Sequence, residues 1–190
     1  DQGPDYGNSQ LSRRGPVAKP VPPAFLTLLE SITANDVARV RGELAKSREL
    51  VNTVDTGGST ALMHAAGRGS LAAMAILISA GADVNARNRR GATALTWALA
   101  DEAKVRLLLE NGAALDTRTA EGRVPLHVAA QQPAMPGVLK LLLEKGANPN
   151  VADAAGITPV HVAATTGNEP MLLALLTAGG NANAVSGNGS

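Results

Sequence analysis

Three histidines, His64, His127 and His161, are the side chains of this chain best suited to acid–base work or metal ligation near neutral pH. A catalytic histidine needs a nucleophile to deprotonate or a carboxylate to orient it. No Ser, Asp or Glu recurs beside these residues at a spacing that would supply one, and no cluster has metal-ligand spacing. The chain has no cysteine, which removes thiolate metal sites, haem attachment, disulfides and a cysteine nucleophile. Gly57-Gly58 and Gly179-Gly180 lack the strand–loop–helix context of a phosphate cradle and read as turn glycines. The sequence therefore names no catalytic residue, no cofactor and no metal site, and the chain reads as a non-enzyme. What it does show is that His127 and His161 stand in nearly the same local sequence, 34 residues apart. A side chain that returns in this way belongs to a recurring structural element.

The recurrence covers most of the chain. Thr60-Ala-Leu-Met-His-Ala-Ala returns as Thr93-Ala-Leu-Thr-Trp-Ala-Leu, Val124-Pro-Leu-His-Val-Ala-Ala and Thr158-Pro-Val-His-Val-Ala-Ala, at spacings of 33, 31 and 34 residues. A second signature follows each copy: Ile76-Leu-Ile-Ser-Ala-Gly-Ala-Asp-Val-Asn, then its counterparts from Leu107, Leu141 and Ala174. Thr60, Thr93 and Thr158 are placed to cap a helix through the hydroxyl, and Pro125 and Pro159 then occupy the first helical position, where a missing N–H does no harm. The second apolar run is a helix that Gly81, Gly112, Gly146 and Gly179 end in a left-handed turn, followed by an Asn/Asp/Gly-rich turn or short hairpin. One such helix pair cannot bury its own apolar faces, so the copies must stack.

These paired signatures closely resemble the ankyrin repeat, and the segment from Thr93 to Ala113 resembles bacterial ankyrin arrays, some of which are exported. The resemblance covers roughly residues 24–190. It implies an all-α solenoid of about five helix-turn-helix repeats joined by hairpin loops, with repeats near 24–55, 56–88, 89–119, 120–153 and 154–190. The first, from Phe25 to Asp55, is degenerate. His127 and His161 occupy the family position whose ring links neighbouring repeats by hydrogen bonds, so the resemblance gives them a structural role. Met63 takes that position in the second repeat, and His64 comes one residue later, as a packing residue or part of a contact surface. Val124 replaces the capping Thr, an expected local cost of about 0.5–2 kcal/mol. The Val124 repeat is also longer between its signatures, with Pro133 and Pro136 placed in its inter-helix turn.

The resemblance implies a protein–protein interaction scaffold or an accessory subunit of a larger assembly, with other proteins as partners. Binding is expected on the concave face: the hairpin tips, together with exposed residues after each first helix, such as Arg68, Asp101, Gln131, Gln132, Thr165 and Thr166. Arg87, Arg89 and Arg90 on one tip and Arg118 and Arg123 on the next form a candidate basic strip, diluted by Asp116 and Glu121. Trp97, the one tryptophan, packs between helices or serves as a binding anchor. A net charge of +1 and the absence of aromatics among the basic residues argue against nucleic acid. No apolar run approaches the roughly 20 residues of a membrane span, so direct membrane insertion is not expected.

Both ends carry further expectations. Residues 1–23 form a Pro/Gly-rich arm without apolar periodicity, expected to act as an extended strap. The last repeat, with Leu172 and Leu173, carries no charge over Met171–Gly180, which marks an association surface. An alternative follows: a regulatory ankyrin module of a longer chain, with an enzymatic or electron-transfer domain beyond Ser190. The start at Asp1 rather than Met favours an exported or periplasmic location over the cytoplasm.

Overall fold

The computed structural model describes residues 20–132 and 136–187. The expected arm lies outside the described residues as far as residue 19, as do Pro133 and residues 188–190. Among the described residues the chain forms ten α-helices in five successive pairs and no β-strand. The pairs are α1 (Pro23–Thr33) with α2 (Val37–Lys46), α3 (Ala61–Arg68) with α4 (Leu71–Ser79), and α5 (Ala94–Ala98) with α6 (Glu102–Glu110). They continue as α7 (Pro125–Ala130) with α8 (Pro136–Glu144), and α9 (Pro159–Thr165) with α10 (Glu169–Thr177). The first helices α1, α3, α5, α7 and α9 pack against one another in one row, and the second helices form a parallel row behind them. Solenoids built this way have only nearest-neighbour interfaces.

The core is a set of columns, one residue per repeat. Leu62, Leu95, Leu126 and Val160 form one along the first helices, and Leu77, Leu108, Leu142 and Leu175 form another along the second, all of them buried. Each buried leucine contributes about 1.5–3 kcal/mol. Aliphatic side chains of similar size suit a thin layer repeated in register. Among the described residues Phe25 is the one Phe, Tyr or Trp in the fully buried core, and it sits in the first helix pair.

Gly81, Gly112, Gly146 and Gly179 all have φ between +82° and +94°, the left-handed conformation that ends each second helix. The loops that follow fold into tight tips, closed by bonds such as Asn88 N–H to Ala92 C=O (3.0 Å) and Thr119 N–H to Arg123 C=O (2.9 Å). Neighbouring tips are joined in file: the N–H groups of Arg89, Ala120, Ala154 and Gly187 donate to the carbonyls of Gly57, Arg90, Glu121 and Ala155.

Two expectations about helix starts need correction. Thr60 does cap α3, its Oγ1 accepting from the Met63 N–H at 3.3 Å. Thr93 and Thr158 do not bond backbone N–H groups through their hydroxyls; these turn instead to Thr96 Oγ1 (3.4 Å) and His161 Nδ1 (2.9 Å). The reason is a competing partner: a polar side chain three residues on reaches back to the cap residue's own N–H and draws the hydroxyl with it. Pro136 is the first residue of α8 rather than part of a turn, in keeping with the tolerance of proline for that position.

Candidate interaction surface

Many polar side chains suggested by the sequence are occupied within the array. His127 is fully buried. Its Nδ1 accepts from the Val124 N–H (3.3 Å), so the proton sits on Nε2, which donates to the Ile157 carbonyl of the next repeat at 2.9 Å. Burial lowers the His127 pKa below its ordinary 6.5 despite the opposing Ile157 bond and Asp153 charge. His161 repeats the local half of this arrangement, its Nδ1 accepting from the Thr158 N–H at 3.1 Å.

His64 does something else. Fully buried Met63 fills the linking position, and His64, one residue on, turns toward the tip that precedes α3. Its Nε2 lies 2.9 Å from Asp55 Oδ2, both side chains about a quarter exposed. Asp55 Oδ1 accepts from the Gly57 and Ser59 N–H groups at 2.7 and 2.8 Å. Burial alone would raise the Asp55 pKa, but the bonds from Ser59, His64 and Gly57 outweigh it and hold the carboxyl below its usual 3.8. The His64 ring also meets Trp97 in a T-shaped contact, with centroids 5.4 Å apart and planes at 74°. Trp97 is half-buried and lies over the exposed end of α3, where a Cβ on Gly67 would sit 3.0 Å from the indole Cε3. A Cβ there would push the indole aside by a few tenths of an ångström.

The basic strip divides in two. Arg87 donates from Nη2 to the Arg118 carbonyl, and Arg118 donates from Nη1 to the carbonyls of Gly122 (2.8 Å) and Ala152 (2.9 Å). These arginines run along the file of tips and tie each to the next. Arg123 pairs with Asp153, Nε to Oδ2 at 3.3 Å. Burial would raise the Asp153 pKa, but the Ile157 and Ala155 N–H groups, Arg123 and His127 hold it below 3.8. Arg89 and Arg90 are exposed, and among the described residues their side chains form no hydrogen bond or ion pair. Glu121, exposed on the next tip, is stabilised in its ionised form first by the Thr119 side chain and more weakly by the charges of Arg123 and Arg90.

The residues after the first helices are similarly sorted. Asp101 caps α6, accepting from the Ala103 and Lys104 N–H groups. Thr165 and Thr166 return their hydroxyls to carbonyls of their own helix. Arg68 and Gln131 are exposed and make no side-chain bond among the described residues; Gln132 is half-buried. At the far end Leu172 is half-buried and Leu173 is 63 % exposed.

Three devices escaped the reading of the sequence. Asn52, Asn85 and Asn150 each staple their repeat to the next. Each side-chain amide donates to the helix-ending glycine carbonyl, of Gly81, Gly112 and Gly179 (2.9–3.1 Å), and accepts from a nearby N–H, of Asp83, Ala114 and Asn181 (2.7–2.9 Å). The recurrence of Asn at one repeat position was the available signal. Lys104 is the second device: buried among helices, it donates from Nζ to the Ala66 (3.1 Å) and Gly69 (2.8 Å) carbonyls and so closes the C-terminus of α3. The aligned positions hold Ala73, Val138 and Met171, all buried, so a lysine in an apolar column was the readable anomaly. The third is the pair of carbonyl ties made by Arg87 and Arg118.

No helix among the described residues is long and apolar enough to cross a membrane. A search among curated proteins found no match. A profile described as ankyrin repeats in three copies matches residues 37–119, 74–153 and 100–188. Ankyrin repeats are generally modules that bind other proteins and typically carry no catalytic centre. With stacked helix pairs, left-handed glycine stops and a profile match over most of its length, this chain belongs to the ankyrin-repeat family.

Proposed function

We propose that this chain is an interaction scaffold or accessory subunit of a larger protein assembly, binding its partner across the concave face formed by the hairpin tips and the ends of the first helices. The arm over residues 1–23 serves as an additional strap. One observation carries the reading. The polar side chains expected on this face separate into those committed to the array and a small set without bonded partners among the described residues, Arg68, Arg89, Arg90 and Gln131, all exposed, with Arg68 next to the Gly67 that lies against half-buried Trp97. A rigid frame that presents unpaired polar groups beside an aromatic ring suits recognition with little ordering cost.

Site-directed photo-crosslinking in the native cell extract tests this. A crosslinker at Arg68 or Gln131 is expected to capture the same protein partner, while one at Lys46 or Glu110 on the second-helix row captures none of it. Capture from the second-helix row alone overturns the reading. A second reading is that the array is a regulatory module of a longer chain with an enzymatic or electron-transfer domain beyond Ser190. Leu173, Leu176 and Val185, exposed by 63 %, 37 % and 70 % at the last pair, favour it, since a following domain would cover them. The mass of the endogenous protein decides: a species near 19 kDa rules this reading out.

A further inference from the structure

The geometry points to a partner segment that is acidic and carries an apolar side chain, held in extended form across α3 between the tip at Arg89–Arg90 and the end of the helix at Arg68, with Trp97 as its central contact. This rests on the concave-face reading above and names the chemistry of what binds there.

The groups lie along one continuous path. The Arg89 N–H bonds the Gly57 carbonyl, so this tip sits directly beside the tip that begins α3 (3.0 Å). His64 and Trp97 follow on the helix row, and Gly67–Arg68 closes the path beneath the indole. The eight residues of α3 separate its two ends by about 12 Å. An extended chain advances about 3.3 Å per residue, so acidic side chains about four residues apart, or slightly more, meet both cationic ends.

Charge selects the ligand. Of the carboxylates near this path, Asp55 is bonded through both oxygens to Gly57, Ser59 and His64, and Glu121, exposed on the neighbouring tip, offsets part of the Arg90 charge. Arg68, Arg89 and Arg90 face solvent with no internal counter-ion bonded to them, and Arg87 donates to a carbonyl rather than to a carboxylate. A net +1 over the whole chain means that this cationic stretch is local rather than a general basic coat. Nucleic acid is the weaker fit, because one aromatic ring offers a single stacking platform and the arginines form two separated ends instead of a continuous track. An apolar residue flanked by Asp or Glu satisfies the indole and both ends together.

The test uses the whole chain and its single tryptophan as reporter. The probes are a twelve-residue peptide of glutamates interrupted by two leucines, the same peptide with glutamine for glutamate, and a twelve-nucleotide single strand. The acidic peptide is expected to shift Trp97 emission saturably, to weaken as salt rises, and to bind at least about tenfold more weakly to R89E/R90E. The control R39E/R41E, on α2, should bind as the parent does. Equal binding of the glutamine peptide, tighter binding of the nucleotide, unchanged binding by R89E/R90E, or no saturable shift each overturns the proposal. Crosslinking from position 68 in the R89E/R90E background separates this proposal from the broader one. If the native partner is still captured with undiminished yield, the concave face binds but acidity is not what it recognises; if capture fails at position 68 in the parent chain, the concave-face reading itself falls.

Discussion

His127 and His64 stand at neighbouring register positions of two repeats and meet opposite fates. His127 is buried, bonded on both nitrogens, and joins its repeat to the next through Ile157. His64 is displaced by one residue on a helix, about 100° around the axis, and so faces the edge of the row, where it holds Asp55 and supports Trp97. The junction it leaves is closed without a histidine: Met63 fills the linking position with apolar volume, and the Asn85 staple and the Lys104 cap supply the cross-repeat hydrogen bonds nearby. One repeat frame thus tolerates two solutions, and the one that frees the ring from the junction is also the one that builds a surface.

The largest effect should come from breaking the buried link. His127→Ala leaves the Val124 N–H and the Ile157 carbonyl unpaired and opens a cavity, so urea unfolding should show a loss of about 2–4 kcal/mol. His64→Ala removes a partly exposed pair and should cost under about 1 kcal/mol. Equal costs would mean the two rings are doing the same job. Acid sharpens the contrast. The folded chain refuses a proton on His127 that the unfolded chain accepts below pH 6.5, so the stability from the neutral ring is complete above 6.5 and declines as pH drops beneath it. Asp55 and Asp153, held below 3.8, keep their contribution above that value and lose it only as pH falls through their lowered pKa values. A His127→Gln variant should therefore lose the upper part of the acid decline and retain the lower.

The staples offer a second comparison, now among junctions. Asn52, Asn85 and Asn150 occupy a position that holds Asp116 in the third repeat. A carboxylate cannot donate to a carbonyl, and no bond from Asp116 to Gly146 forms. Asp116→Asn should restore both halves of the staple and raise stability by about 0.5–1 kcal/mol. No gain, with the parent's unfolding midpoint unchanged, would show that the third junction is already held by Arg118 and the Arg123–Asp153 pair.

How much of this was legible in the sequence follows from the range of each interaction. Helix ends are local, so Gly81, Gly112, Gly146 and Gly179 announced themselves by type and spacing, and the phase of the repeats carried the five helix pairs with them. The uses of Arg87, Arg118, Asn85 and Lys104 were not legible, because each bonds a backbone carbonyl about thirty residues away, and a carbonyl has no residue type to read. A charged side chain looks the same on the page whether it faces water or a carbonyl. For this reason the five-arginine strip expected on the tips narrows to Arg89 and Arg90 as side chains without a bonded partner.

The smallest effect concerns Val124. Sequence pattern assigns its lack of a hydroxyl the cost of a missing helix cap. The structure removes most of the basis for that cost: the first-turn His127 N–H bonds the Val124 carbonyl at 3.0 Å, and at the aligned Thr158 the hydroxyl bonds the histidine ring rather than the helix. Val124 is 3 % exposed, so its methyl groups already fill space that a hydroxyl would enter at the cost of desolvation. Val124→Thr should therefore change stability by no more than about 0.5 kcal/mol in either direction, well short of a restored cap. A gain above about 1 kcal/mol would show that the threonine at this position acts on the helix itself, and that Thr158 owes its place in the repeat to capping after all.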